Sequence, residues 1–176
     1  MGMKTFAGAR RPAILSFPLD SARQTVIASG VDPATVQFPV TRDRLLGYRD
    51  AIIALGLEWS DVVVAATATN DEREAESLAE QLLSVDHPVD AIAAMSDEQA
   101  LGVLHAAAAS GVRVPGRLAV SGWDDSNAAA PNALSSVAQN LRAQGAAAAR
   151  LALGGPVESD AAEWSVVVRS STTTPA

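Results

Sequence analysis

A chain of 176 residues, 48% of them hydrophobic, has the size of one domain built on a single core. It has no cysteine, which excludes disulfides and thiolate metal sites, and its two histidines, His87 and His105, stand in unrelated contexts that make no zinc site. The formal charge of −7 argues against a nucleic-acid grip, because the densest basic group, Arg42, Arg44 and Arg49, is interrupted by Asp43 and Asp50.

The opening residues, M-G-M-K-T-F-A-G-A-R-R-P, lack the apolar stretch of a secretory signal, and no run approaches bilayer-spanning length. The expectation is a cytoplasmic protein with no membrane partner. Residues 1–11 read as a tail. Pro12 to Phe17 then forms an apolar run ended by Pro18, a first buried strand. The polar stretch from Leu19 to Thr41 is long for a loop in a compact domain, so local order or a function is expected there. Leu45, Leu46, Ala51, Ile52 and Leu55 recur at helical spacing, and Gly56 sits where a left-handed cap belongs.

Asp61 to Ala66 is strand-like, with V-V-V at its centre. Thr69 and Glu72 offer a capping box for a helix reaching about Leu83. The D-H-P turn at Asp86 to Pro88 ends it before a strand from Val89 to Met95. Ser96 with Gln99 makes a second capping box, opening a helix to Ser110 that Gly111 closes, with Val112 placed for a Schellman contact. Leu118 to Ser121 is the next strand, followed by an acidic corner, G-W-D-D-S-N. A short strand near Ser135 to Ala138, an Ala-rich helix from Leu141 to Leu153 and a last strand, Trp164 to Arg169, complete the domain at about residue 170. Residues 171–176 read as a frayed tail. Alternating strands and helices predict an α/β fold, a doubly wound parallel sheet with helices on both faces.

Three motifs carry a resemblance. They are R-L-L-G-Y-R-D-A-I (Arg44 to Ile52), A-M-S-D-E-Q-A-L-G-V-L (Ala94 to Leu104) and V-P-G-R-L-A-V-S-G-W-D-D (Val114 to Asp125), the last followed by L-S-S-V-A-Q-N-L (Leu134 to Leu141). In order and spacing the chain resembles the LacI/GalR family of bacterial transcription regulators, over roughly residues 12–170. The resemblance implies a periplasmic-binding-protein-like lobe that senses a sugar or nucleoside-like effector. It implies a homodimer, and operator DNA contacted only through a headpiece outside this sequence. It covers the later, C-terminal lobe and assigns residues 141–153 to the other lobe, so the chain reads as part of a longer regulator.

The same resemblance nominates site residues. Arg44 matches an arginine that reaches effector oxygens, a role its planar fork suits; the plainer reading is a solvated arginine in the first turn of a helix. Asp124 matches an acid that accepts from an effector hydroxyl or N–H, against a turn aspartate; Asp125 is assigned the turn. Trp123 either packs beside the strand end or stacks on a ligand. Ser96 replaces an asparagine common among relatives, and its cap role competes with ligand contact. Gln139 matches a crossover glutamine near the cleft. Asp20 could line the cleft mouth, and His105 reads as structural.

No nucleophile elbow, zinc-protease motif or phosphate-binding glycine loop occurs, so an enzyme and a cofactor are not expected. A phospho-receiver would want a late lysine, and the only lysine is Lys4. The competing binding function is an extracytoplasmic solute-binding protein of a sugar transporter. A structural or dimerisation fragment that binds no effector is the third reading.

Overall fold

A computed structural model describes residues 8–86, 88–156 and 164–173. His87 of the expected turn and residues 174–176 of the expected tail lie outside the described residues. The strands are β1 (Pro12–Ser16), β2 (Val26–Ser29), β3 (Val63–Ala66), β4 (Ala91–Ala94), β5 (Ala119–Asp124), β6 (Ser135–Gln139) and β7 (Trp164–Val167). The helices are α1 (Pro39–Ala54), α2 (Glu72–Ser84), α3 (Asp97–Ala109) and α4 (Leu141–Ala152). The strands form one sheet in the order β2-β3-β1-β4-β5-β6-β7.

The middle of the sheet is parallel, with β3, β1, β4, β5 and β6 side by side. Such strands are covered on both sides and read as continuous apolar runs. In β1, Ala13 and Leu15 join the core under α2 and α3, while Ile14 turns to the opposite core with Leu45 and Ile52 of α1. Successive residues therefore serve two cores, as strand geometry requires.

Both edges depart from the expected parallel sheet. β2 runs antiparallel to β3, inside the stretch expected only to have local order, and a 3-10 turn at Pro33–Thr35 follows it. β7 runs antiparallel to β6, pairing Gln139 with Trp164. α4 buries none of its residues, and β7 starts opposite the end of β6 and runs in reverse.

Helix ends follow local chemistry, with three corrections. α1 begins at Pro39, a residue preset for the first helical position, so Arg44 stands in the second turn and not the first. α2 is capped by Asp71, whose carboxylate accepts from the Arg73 and Glu74 amides at 3.0 Å, rather than by Thr69. Thr69 instead donates to Glu74 through both its amide and its hydroxyl. Ser96 does cap α3, accepting from the Gln99 amide at 3.1 Å, but Gln99 does not close the box. Its buried carboxamide accepts from the Met95 amide and donates to Ser16 O and Thr67 Oγ1, tying α3 to the strand ends. Gly111, at φ +66, ends α3 with Val112 N–H bonded to Ala107 O at 2.8 Å, the expected Schellman geometry.

The tail expectation is also corrected. Ser171 and Thr172 are buried: Ser171 Oγ donates to Val120 O and accepts from Ser135 N, and Thr172 Oγ1 pairs with Ser135 Oγ. These hydroxyls satisfy backbone groups at the β5–β6 seam, which keeps the segment in place.

One part of the sheet is bare. Ser121, Val137 and Val166 line a hollow of about 390 Å³ whose other wall is Tyr48, Ala51, Ile52 and Leu55 of α1. α4 buries none of its residues, and Leu141, Leu151 and Leu153 are 58%, 62% and 87% exposed. Among the described residues, no helix is long and apolar enough to cross a membrane.

Candidate functional site

Parallel strands deliver their carboxyl ends to one edge, where open α/β sheets hold ligands. Along that edge the chain places Asn70 after β3, Phe17 after β1, Ser96 after β4, Trp123 and Asp124 at the end of β5, and Gln139 at the end of β6. α1 supplies Arg44 from beside the edge.

Arg44 lies between two aromatic rings, its guanidinium carbon 4.2 Å from the centre of Trp123 and 5.4 Å from that of Phe17. Such stacking is worth roughly 0.5–2 kcal/mol, depending on desolvation. Nη1 donates to Met95 O, which fixes the plane of the fork. Burial lowers the Arg44 pKa, while Tyr48 and Asp124 push the other way; an arginine there remains a cation. Burial also pushes the Tyr48 hydroxyl up to about 12, against the pull of Arg44.

Asp124 and Asp125 sit at φ +106 and +48, where residues with a Cβ are rarely found. Three contacts hold this corner. Gln139 Nε2 donates to Asp124 Oδ1 at 2.8 Å, the Asp125 amide donates to Ser136 Oγ at 3.0 Å, and Arg169 pairs with Asp125 at 2.7 Å. Burial raises the Asp124 pKa; Gln139 and Arg44 oppose that, and Asp97 adds to it. Among the described residues, nothing donates to Asp124 Oδ2, so an acceptor is left open.

Asp97, 2% exposed, is a residue that sequence reasoning passed over. It accepts from Ser136 Oγ and from the Ser126 amide, both at 2.6 Å, and so fastens the start of α3 to the acidic corner. Its Oδ1 lies 2.3 Å from where a Cβ on Gly122 would be, which explains the glycine of the G-W-D-D motif.

The remaining nominated residues fall as follows. Ser96 is 1% exposed, and its hydroxyl is shared between the Gln99 amide and Asn70 Oδ1. One face of the Trp123 ring is taken by Arg44, and its buried Nε1 has no partner among the described residues. Trp123 and Gln139 also border a second hollow of about 300 Å³ with Val137, Gln144 and Trp164. Asp20 accepts from the Ala22 amide as a turn residue. His105 Nδ1 meets Glu72 Oε1 at 2.8 Å, joining α3 to α2. Among the described residues no cluster of His, Cys, Asp or Glu could hold a metal.

A cation braced on aromatics beside an open carboxylate oxygen, at the carboxyl edge of a wound sheet, suits a ligand rich in hydroxyls. Comparison with known proteins identifies the domain. Residues 18–172 match the periplasmic binding protein-like domain family. The regulator CelR of Thermobifida fusca is 38% identical over 111 residues, 62% of this chain and 32% of the relative. The chain belongs to the LacI/GalR family.

It corresponds to the effector-binding domain of those LacI/GalR regulators. The regulator IpsA of Corynebacterium glutamicum is 27% identical over 139 residues, 79% of this chain and 39% of the relative. A crystal structure of a LacI-family regulator from Corynebacterium glutamicum superposes with TM-score 0.83 at 25% identity, covering 96% of this chain and 51% of that one. A CelR–cellobiose complex superposes with TM-score 0.72 at 31% identity, covering 94% and 48%. The chain thus spans about a third of the length of these curated relatives, and about half of these solved LacI/GalR structures. The curated relatives are named as transcriptional regulators, not enzymes.

Proposed function

We propose that this chain is the sensing part of a sugar-responsive transcription regulator, with Arg44 and Asp124 as its principal ligand contacts. The observation that carries this is the convergence of the braced guanidinium and the open Asp124 oxygen at one sheet edge. Gln139 holds Asp124 and can turn to a ligand, and Trp123 supports Arg44 from below. Because one relative is described as a cellobiose complex, a β-linked disaccharide is the first candidate effector. Residues 12–170 make up the effector-binding part, of which residues 141–153 belong with a second lobe outside this sequence. Operator DNA is contacted only through a headpiece that is likewise outside it.

A single lobe provides half the contacts of a closed cleft. Water-exposed hydrogen bonds are worth roughly 0.5–1.5 kcal/mol each, so affinity of the chain alone is expected to be about millimolar or weaker. Without that second lobe the exposed leucines of α4 are uncovered, which supports self-association of the chain on its own. Calorimetric titration with cellobiose, glucose and adenosine tests the reading. Heat with a sugar that disappears in Arg44→Ala and Asp124→Asn supports it. Identical sugar heats in wild type and both variants would sink it, as would micromolar binding that ignores them.

A further inference from the structure

We infer that, in the chain on its own, α4 of one copy docks into the hollow beside α1 of a second copy, reciprocally about a two-fold axis. The inference rests on the self-association proposed above and names the surface that receives the helix. Parallel strands are normally covered by helices on both sides. On one side, α2 and α3 cover the sheet as far as Val120 of β5. On the other, α1 covers β3, β1 and β4 through Val64, Ile14 and Ala93. Beyond them Ser121 of β5, Val137 of β6 and Val166 of β7 face the hollow, with Val137 and Val166 side by side in the ladder. Val166 is exposed, and Ser121 and Val137 are only half-buried. Among the described helices, none lies over this part of the sheet.

The same chain carries a helix with no sheet beneath it. In α4, Leu141, Gly145, Ala148 and Ala152 recur at spacings of four, three and four, which puts them on one face, and Leu151 borders it. Arg142 and Arg150 fall off that face. Gly145 and Ala148 at its centre let the helix approach a sheet closely. The lining of the hollow includes no charged side chain, so neither surface has to bury an unpaired ion. A nucleic acid or a strongly charged peptide gains nothing there. A second copy gains most, because one exchange covers both uncovered surfaces of both chains. A helix of this length is about 18 Å long, and one such contact is small against the roughly 1,200–2,000 Å² that stable complexes bury. A two-fold pair makes the contact twice.

The chain has no cysteine, so introduced thiols report on the contact without background. Ala51 lines the hollow, Ala148 lies on the α4 face, and both are exposed. Ala148→Cys carrying a size tag is mixed with untagged Ala51→Cys at tens of micromolar and oxidised. We expect a covalent dimer of mixed size, and only traces of covalent dimer from either variant alone. Sedimentation of Ala51→Glu, a change at an exposed helical position, should show association weakened by roughly 10-fold or more, because a carboxylate would have to be buried unpaired. Absence of the mixed dimer, covalent dimers from Ala148→Cys alone, or wild-type association in Ala51→Glu each overturn the inference and leave self-association through another surface standing. A wild-type chain that stays monomeric at these concentrations overturns both. The sugar-sensing reading is decided separately, by the calorimetry.

Discussion

The guanidinium of Arg44 lies 4.2 Å from the centre of the Trp123 ring, and its own Nη1 is tied to the Met95 carbonyl. The cation is therefore held in place by groups of the chain itself. Arg44→Ala should leave the fold intact, expose the indole to water and shift Trp123 emission to the red, with sugar heats lost. Arg44→Lys keeps the charge but not the planar fork, and should lose most of the affinity too. Affinity equal to wild type in the lysine variant would show that charge alone suffices.

Burial raises the pKa of Asp124 in the folded chain. The folded state thus holds that proton more tightly than the unfolded state, and stability falls as pH rises from the ordinary aspartate range through the raised value. Asp124→Asn removes the ionised form and its desolvation cost. The variant should melt at a higher temperature than wild type near neutral pH, and the gap should close towards pH 4 (about the unperturbed aspartate value). Its sugar binding should be lost. Melting curves at several pH values check the sign, and a variant less stable at neutral pH would contradict it.

Glu74 shows the opposite sign. Burial pushes its pKa up, but donation from the Ala68 amide, Thr25, and the Thr69 amide and hydroxyl prevails and holds it low. Its stabilising contribution is complete above the ordinary glutamate range and lost as pH falls through the lowered value. Glu74→Gln should destabilise the chain at neutral pH and match wild type at the acidic end. A difference independent of pH would point to packing instead.

Gly102 is where α3 crosses α2. A Cβ there would lie 2.3 Å from Glu72 O and 2.7 Å from the Glu76 amide, both backbone. Gly102→Ala should force the helices apart at a cost of about 1–3 kcal/mol despite alanine's better helix propensity. Urea denaturation with an unchanged slope measures it. A gain in stability would mean the helices separate freely.

Leu151 and Leu153 project from a helix that buries none of its residues in this chain. Sedimentation should show self-association at tens of micromolar, shifted to monomer by Leu151→Asp with Leu153→Asp. A monomer in wild type at those concentrations would remove α4 as a contact surface.

The legible parts of the sequence were those written locally. The apolar runs of β1, β4 and β5, the Ser96 cap and the Gly111 stop each need only a few neighbouring residues. β2 was not read as a strand because its short V-I-A run sits inside an otherwise polar stretch, and at the sheet edge it is only partly buried. Ser171 and Thr172 looked like tail because small hydroxyl residues satisfy distant backbone groups without any local pattern. The same holds at the candidate site. Arg44, Asp124 and Gln139 were reached through a motif resemblance, whereas the bond from Ser136 to Asp97 joins residues 39 positions apart. Asp97 was hidden as an ordinary first-turn acid of α3.

The left-handed backbone at Asp124 and Asp125 has a kinetic corollary. Gln139, Ser136 and Arg169 clamp that corner through contacts within the chain itself, so its unfavourable torsions are settled when the polypeptide folds. A molecule docking there meets an acceptor that needs no rearrangement, and its arrival should follow a single concentration-dependent phase with no slow isomerisation behind it.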